Sequence, residues 1–285
     1  MFTYGPLLDQ VRGLVWPARR RVVGVLPGTH QSRRRGSAPE LVEYRSYRQG
    51  DDPRRLDWKL LARTDRPFIR LADERAVLPT LLVVDASASM DFPAGASSKW
   101  SLACTLTVAL AAVAHAAGDP VGLFVTAATT SVALAPRTRR GTVHEIARAL
   151  GTVTPHGGGA TLFARALPHP AGARVVVVSD FLADEVATLR AAQELVAAGS
   201  DVHAVHVVAR EELDPPSTPA LYVDPEAATT VRPFGADVRE AYRARFAAWR
   251  AELARSWRLA GAALTEVMTG DDVVRAVRRV VSPAA

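Results

Sequence analysis

The second two-thirds of the chain alternates unbroken apolar runs with segments that repeat an apolar residue every three or four positions. Residues 79–84 (P-T-L-L-V-V) and 174–179 (R-V-V-V-V-S) show no polar alternation, which predicts strands buried on both faces. Residues 121–126, 131–135 and 201–208 read as further strands. In 99–117, Leu102, Leu106, Leu110 and Val113 recur at helical spacing, and Gly118-Asp119-Pro120 closes the segment. Residues 143–150 and 184–198 read as helices, the second ended by Gly199. Such β-α-β alternation predicts an α/β fold with a mainly parallel sheet flanked by helices. After Pro215-Pro216, residues 220–232 read as a hairpin or single strand, followed by a long helix over 237–260. Val238, Tyr242, Phe246, Trp249, Leu253 and Trp257 form one stripe on that helix, expected to pack into the core. A last strand (262–268) and a last helix (271–281) complete the pattern.

The first quarter is patterned differently. Residues 28–39 read as a polar loop, 41–48 as a half-exposed strand, and 68–74 as a second strand. Between them Gly50-Asp51-Asp52-Pro53 is a turn that opens a helix running to about residue 63. Asp52 suits the N-cap and Pro53 the first helical position, where a backbone N–H would lack a partner anyway. The expected division is an N-terminal extension, 1–76, with a strand–helix–strand core, and a main α/β domain, 77–285.

Charge supports that division. The chain has 285 residues, with 48% hydrophobic and 22% charged residues and a net charge of +6, which excludes a wholly disordered chain. Residues 1–75 hold 16 Lys and Arg against 9 Asp and Glu, whereas the rest hold 19 against 20. The basicity therefore belongs to the first quarter. The single cysteine, Cys104, excludes an intrachain disulfide framework and a Cys-rich zinc site. The first residues lack signal-peptide order, because Arg19-Arg20-Arg21 follows the apolar residues rather than preceding them. The apolar stretch 102–117 is shorter than the ~20 residues a spanning helix needs. A cytoplasmic protein without an integral membrane segment is expected, with room for peripheral membrane contact.

Candidate chemistry falls at strand ends. Asp85-Ala86-Ser87-Ala88-Ser89 follows the first buried strand directly, where open parallel sheets form their sites. One carboxylate and two hydroxyls in a tight loop are hard oxygen donors suited to Mg²⁺, Mn²⁺ or Ca²⁺. Asp180 closes the other strong strand, and the glycine run 157–159 can bring a third hydroxyl, Thr161, to the same edge. The set Asp85, Ser87, Ser89, Thr161 and Asp180 resembles the metal-ion-dependent adhesion site of von Willebrand factor A domains. In that family the threonine often follows the glycines directly, whereas here Ala160 intervenes. The resemblance implies a von Willebrand A-like fold, one divalent cation, and an open coordination position filled by a partner's carboxylate.

The first quarter carries a second resemblance. Ser32 to Ser37, then Glu43 through Gly50-Asp51-Asp52-Pro53-Arg54-Arg55-Leu56-Asp57-Trp58 to Arg63-Thr64, is similar to the signature of the bacterial family called domain of unknown function 58. Its members join this signature to a von Willebrand A-like domain and are typically encoded beside MoxR-type AAA+ ATPases. The resemblance implies a non-catalytic adaptor working with such an ATPase on a client protein. Within the signature, Tyr47, Gly50, Asp51, Asp52, Arg54, Asp57, Trp58 and Arg63 are expected to be structural. Arg45, Arg48, Arg54, Arg55 and Arg63 are expected to pair with Glu43, Asp51, Asp52 and Asp57, and Trp58 to serve as an apolar anchor. Arg33, Arg34 and Arg35 have no acid beside them in sequence and are candidates for partner docking.

Other readings fit less of the chain. It has no G-x-S-x-G elbow, no G-x-x-x-x-G-K-[ST] loop and no H-E-x-x-H. Asp85 at a strand end near Mg²⁺ is also the geometry of phosphoryl transfer, although that chemistry usually has further carboxylates or a lysine at neighbouring strand ends and the chain holds only Lys59 and Lys99. Arg19–Arg21 and Arg33–Arg35 could contact nucleic-acid phosphates, but no aromatic interleaving accompanies them, so no nucleic acid is expected. His203 and His206 sit three apart on a predicted strand, hence on opposite faces, and read as structural. Cys104 reads as a packed thiol.

Overall fold

A computed structural model describes residues 5–19, 27–36, 42–49, 51–126, 131–157, 172–183, 185–216, 220–223 and 229–282. The chain divides into two compact units. The larger holds the residues up to Pro17 and those from Pro79 onward, and the smaller holds Ala18 to Leu78. The expected boundary after residue 76 therefore moves by two residues, and the first 17 residues change sides. The reason is packing: helix α1 (Gly5–Gln10) leads into Val11 and Trp16, both buried in the core of the larger unit.

The smaller unit contains β1 (Pro27–Gly36), β2 (Val42–Ser46), α2 (Trp58–Thr64) and β3 (Phe68–Ala76), with the antiparallel strand order β1-β3-β2. The expected loop at 28–39 is thus mostly strand. Its pairing to β3 breaks register after Pro27 and after Gln31, so no period-2 pattern marks it in sequence. Arg33, Arg34 and Arg35 lie on β1, where only the backbone is described, and Arg35 stands opposite Asp73 in the ladder. Gly50 lies outside the described residues.

The expected helix over 53–63 is two pieces. Pro53–Arg55 forms one 3₁₀ turn, capped by Asp52 accepting from the Arg54 N–H at 3.0 Å. Asp57 then caps α2, accepting from the Lys59 and Leu60 N–H groups, both at 3.0 Å. Both carboxylates accept from backbone donors, and Asp57 Oδ2 also accepts from the Tyr44 hydroxyl at 3.2 Å. The signature's one described ion pair joins Arg45 to Asp51 at 2.8 Å, and Asp51 also accepts from the Arg48 N–H. The Arg45 hydrogen bond, then that from Arg48, holds the Asp51 carboxyl below its ordinary value. Arg54 and Arg63 are exposed, without an ion pair among the described residues, and Tyr47 is half-buried with its N–H on the Pro67 carbonyl at 2.8 Å. Trp58 is 65% exposed and anchors nothing. It is the first residue of α2, beside the Asp57 cap.

The larger unit continues with β4 (Thr80–Asp85), α3 (Lys99–Ala116), β5 (Val121–Thr126), β6 (Ser131–Arg137), α4 (Thr142–Gly151), β7 (Arg174–Ser179) and α5 (Glu185–Ala197). Then come β8 (Asp201–Val208), the short α6 (Arg210–Leu213), the hairpin β9 (Ala220–Val223) and β10 (Val231–Phe234), α7 (Ala236–Leu259), β11 (Ala263–Met268) and α8 (Val273–Val281). Six strands form one sheet in the order β11-β8-β7-β4-β5-β6, parallel except for β6. The fold is α/β, as expected. Leu82 and Val84 face a layer with α3, α4 and α8, while Leu81 and Val83 face α5 and α7. This two-sided burial explains why β4 and β7 lack alternation.

Helix α3 is long and apolar enough to cross a membrane by length and composition. Here it lies inside the core, with Leu106, Val108, Ala109 and Leu110 fully buried. Cys104 is buried beside them, and burial pushes its thiol well above the ordinary range. The α7 stripe enters the core only through its second half, at Leu253 and Trp257. Its first half stays partly exposed. There Phe234, Tyr242, Phe246 and Trp249 form a run of ring contacts with successive centroids 5.6–5.7 Å apart.

Candidate functional site

Sheet topology places the site. From β4 the chain passes through α3 to β5 on one side, and from β7 through α5 to β8 on the other. The connections diverge at the carboxyl ends of β4 and β7, the topological switch point where an open α/β sheet forms its crevice. Asp85 ends β4, and Asp180 follows the last residue of β7. The two predicted carboxylates are therefore neighbours in the fold.

The loop after β4 is held on both sides. The Ala86 N–H donates to the Thr126 carbonyl at 2.8 Å, while the Ala86 carbonyl accepts from the His156 N–H at 3.0 Å. The Ala88 N–H donates to the Gly157 carbonyl at 2.9 Å, which brings the start of the glycine run beside the D-x-S-x-S loop. Thr161 lies outside the described residues. Asp85, Ser87 and Ser89 are all buried. Asp85 Oδ1 accepts from the Ser87 N–H at 2.9 Å and Oδ2 from the Ser179 hydroxyl at 2.7 Å. The Ser87 and Ser89 hydroxyls are 3.0 Å apart and share a hydrogen bond.

Electrostatics single out Asp85. Burial first, then the neighbouring charge of Asp180, raises its pKa to about 6 despite the hydrogen bonds from Ser179 and Ser87. A carboxylate next to a second carboxylate in a buried crevice favours a proton or a cation over an empty site. Oxygen donors of this kind suit a hard divalent ion. Among the described residues no group of three or more His, Cys, Asp and Glu side chains is arranged to hold a metal, so any ion here would depend on the serine hydroxyls.

Sequence reasoning passed over two residues. Lys99, the first residue of α3, is 0% exposed, and its Nζ lies 2.7 Å from Asp180 Oδ2 and 2.6 Å from Glu212 Oε1. Burial alone would push the ammonium down, but Asp180 and Glu212 outweigh it and hold its pKa above the ordinary value. Asp180 Oδ1 accepts from the Leu182 N–H at 3.2 Å, and Glu212 Oε2 from the Ala209 N–H at 2.7 Å. A usable signal existed. A lysine in the first turn opposes the helix macrodipole and needs compensating anions. Glu212, three residues past Ala209 at the end of β8, sits where a side chain reaches back to cap a helix.

His203 and His206 do face opposite ways. His203 Nε2 bonds the Thr265 hydroxyl at 2.9 Å, while the His206 ring packs against Phe181 and Trp249. His206 Nδ1 also lies 3.5 Å from Glu266 Oε2.

A family profile described as "Protein of unknown function DUF58" matches residues 43–253. The chain belongs to the DUF58 family. It is 31% identical to the uncharacterized protein Rv1480 of Mycobacterium tuberculosis, over 97% of this chain and 89% of that one. Among solved structures it is similar to the conserved hypothetical protein BatB of Bacteroides thetaiotaomicron, at 18% identity and a TM-score of 0.48, covering 72% of this chain and 97% of that one. It is also similar to the VWA domain of SpRpn10, at 11% identity and a TM-score of 0.41, covering 73% and 96%.

Proposed function

We propose that the protein is a non-catalytic, cytoplasmic adaptor that binds one divalent cation and uses it to capture an acidic side chain of a partner. Asp85, Ser87 and Ser89 hold the ion, with Thr161 as a further hydroxyl and Asp180 acting directly or through water. Mg²⁺ fits these hard oxygens, as do Ca²⁺ and Mn²⁺. The observation that carries the reading is the buried Asp85–Ser87–Ser89 oxygen set, which stands in the crevice beside a second carboxylate. Supporting it, Leu182 and Val186 are 50% and 75% exposed just beyond Asp180, the apolar surface a protein partner would cover. The family signature points to a MoxR-type AAA+ ATPase as the partner, with a client protein as its object.

The test is a pull-down with the candidate ATPase in Mg²⁺, in EDTA, and with Asp85→Ala in Mg²⁺. Capture is expected in the first and a loss of at least about tenfold in the other two, the scale of one charge-assisted contact or more. Equal capture in all three sinks the metal-bridged model.

One observation favours a second reading. Lys99 supplies beside Asp180 the lysine that phosphoryl transfer would use. Phosphoester turnover abolished by Asp85→Ala would replace the adaptor reading with that one.

A further inference from the structure

Lys99 does more than fill a core position. It is the buried first residue of α3, where its charge opposes the helix dipole. It is held between two carboxylates at 2.6 and 2.7 Å, with the Phe92 ring centroid 6.0 Å from its Nζ. Asp180, one of those carboxylates, is also the charge that disturbs Asp85. Lys99 thus ties Asp180, the charged neighbour of Asp85, to Glu212.

A buried ammonium supplies what a hard cation supplies: positive charge, and a shell that draws in oxygens. Lys99 takes one oxygen of Asp180, and the Leu182 N–H takes the other. An ion approaching Asp85 meets an Asp180 whose two oxygens are already occupied. We infer that Lys99 is a built-in competitor of the divalent cation. It keeps the metal-free crevice folded by neutralising Asp180 and Glu212, and it holds metal affinity down so that the ion exchanges rather than staying bound. Lys99 is thus a positioning and affinity-setting residue of the site. The inference rests on the metal-site reading, because competition needs an ion to compete with.

Two experiments on the full chain test it. The first is a Mn²⁺ and Mg²⁺ titration by calorimetry on the wild type and Lys99→Met, which keeps the stem and deletes the charge. Removing the positive charge that occupies Asp180 should tighten binding by at least about tenfold. The Lys99→Met melting temperature should fall in EDTA and recover in millimolar Mg²⁺. Equal or weaker binding by Lys99→Met overturns the inference and leaves the metal-site reading standing. Binding by Lys99→Met alone overturns the adaptor reading and keeps Lys99 as a full substitute for the ion. Binding by neither overturns both.

The second experiment needs no variant, so it holds even where Lys99→Met does not fold. The chain contains two lysines, Lys59 and Lys99. Selective ¹⁵N-lysine labelling therefore gives one buried Nζ signal and one exposed internal control. Mg²⁺ is expected to shift the Lys99 Nζ resonance and leave that of Lys59 in place. A Lys99 signal unmoved at saturating metal overturns the competition.

Discussion

Arg174→Ala is expected to destabilise the protein by about 3–5 kcal/mol, the cost of breaking a buried ion pair by removing one partner. The side chain stands at the first position of β7, at the sheet end opposite the crevice, and is 1% exposed. Its Nη2 donates to the Trp16 carbonyl at 2.8 Å and to the Pro17 carbonyl at 3.2 Å. The guanidinium lies over the Trp16 ring, 4.2 Å from the centroid. Nη1 lies 3.7 Å from the fully buried Asp119. Burial pulls the pKa of Arg174 down to about 10, against Asp201 and Asp119, which raise it, so the cation is retained at neutral pH. Truncation removes two hydrogen bonds to carbonyls, the stacking on Trp16 and a cation beside Asp119. A lysine side chain would keep the charge but lose the planar fork and the stack, so Arg174→Lys should recover no more than about half of the loss. Urea unfolding measures both. Limited proteolysis should show the α1 to Trp16 segment cut earlier in Arg174→Ala. A loss below about 1 kcal/mol would mean that desolvating the arginine offsets everything it bonds to.

Arg174 also shows what the sequence could and could not reveal. Its strand was plain, because four consecutive valines between Arg174 and Ser179 have no polar face to offer. Its role was not, because the carbonyls it binds lie 158 and 157 residues away. The same split runs through the crevice. Asp85 and Asp180 were legible because each closes a strongly apolar run, and Ser87 and Ser89 because their spacing is local. Lys99, Asp180 and Glu212 meet across separations of 81 and 113 residues, which no periodicity encodes. Strand β1 is hidden in the sequence for a related reason. Its neighbour β3 supplies backbone pairing to residues that show no side-chain pattern of their own. On α7 the stripe forms one face, but sequence gives no length for the sheet beneath it. The stripe therefore runs past the part that Leu253 and Trp257 bury.

Asp85→Asn is expected to be more stable than the wild type at neutral pH in EDTA, by about 3 kcal/mol. The Asp85 pKa is raised from 3.8 to about 6 in the folded protein, a shift of roughly two units at about 1.4 kcal/mol each. The folded state therefore binds this proton more tightly than the unfolded state does. Stability falls as pH rises through the window from about 4 to 6, and the whole penalty is present by pH 7. Asparagine copies the protonated acid. Its carbonyl accepts from the Ser87 N–H as Oδ1 does, and its amide donates to the Ser179 hydroxyl, which already accepts from the Phe181 N–H at 2.9 Å. The hydroxyl has a second lone pair for that bond. Denaturant midpoints for the two proteins should converge near pH 4 and separate as pH rises. The difference isolates Asp85 from the other carboxylates, which both proteins share. On the metal-site reading, millimolar Mg²⁺ adds stability to the wild type and little to Asp85→Asn, so the ion should shrink or reverse the gap at neutral pH. An Asp85→Asn protein less stable than the wild type in EDTA at pH 7 would mean that the hydrogen bonds from Ser179 and Ser87 outweigh the burial and the Asp180 charge that disfavour the carboxylate.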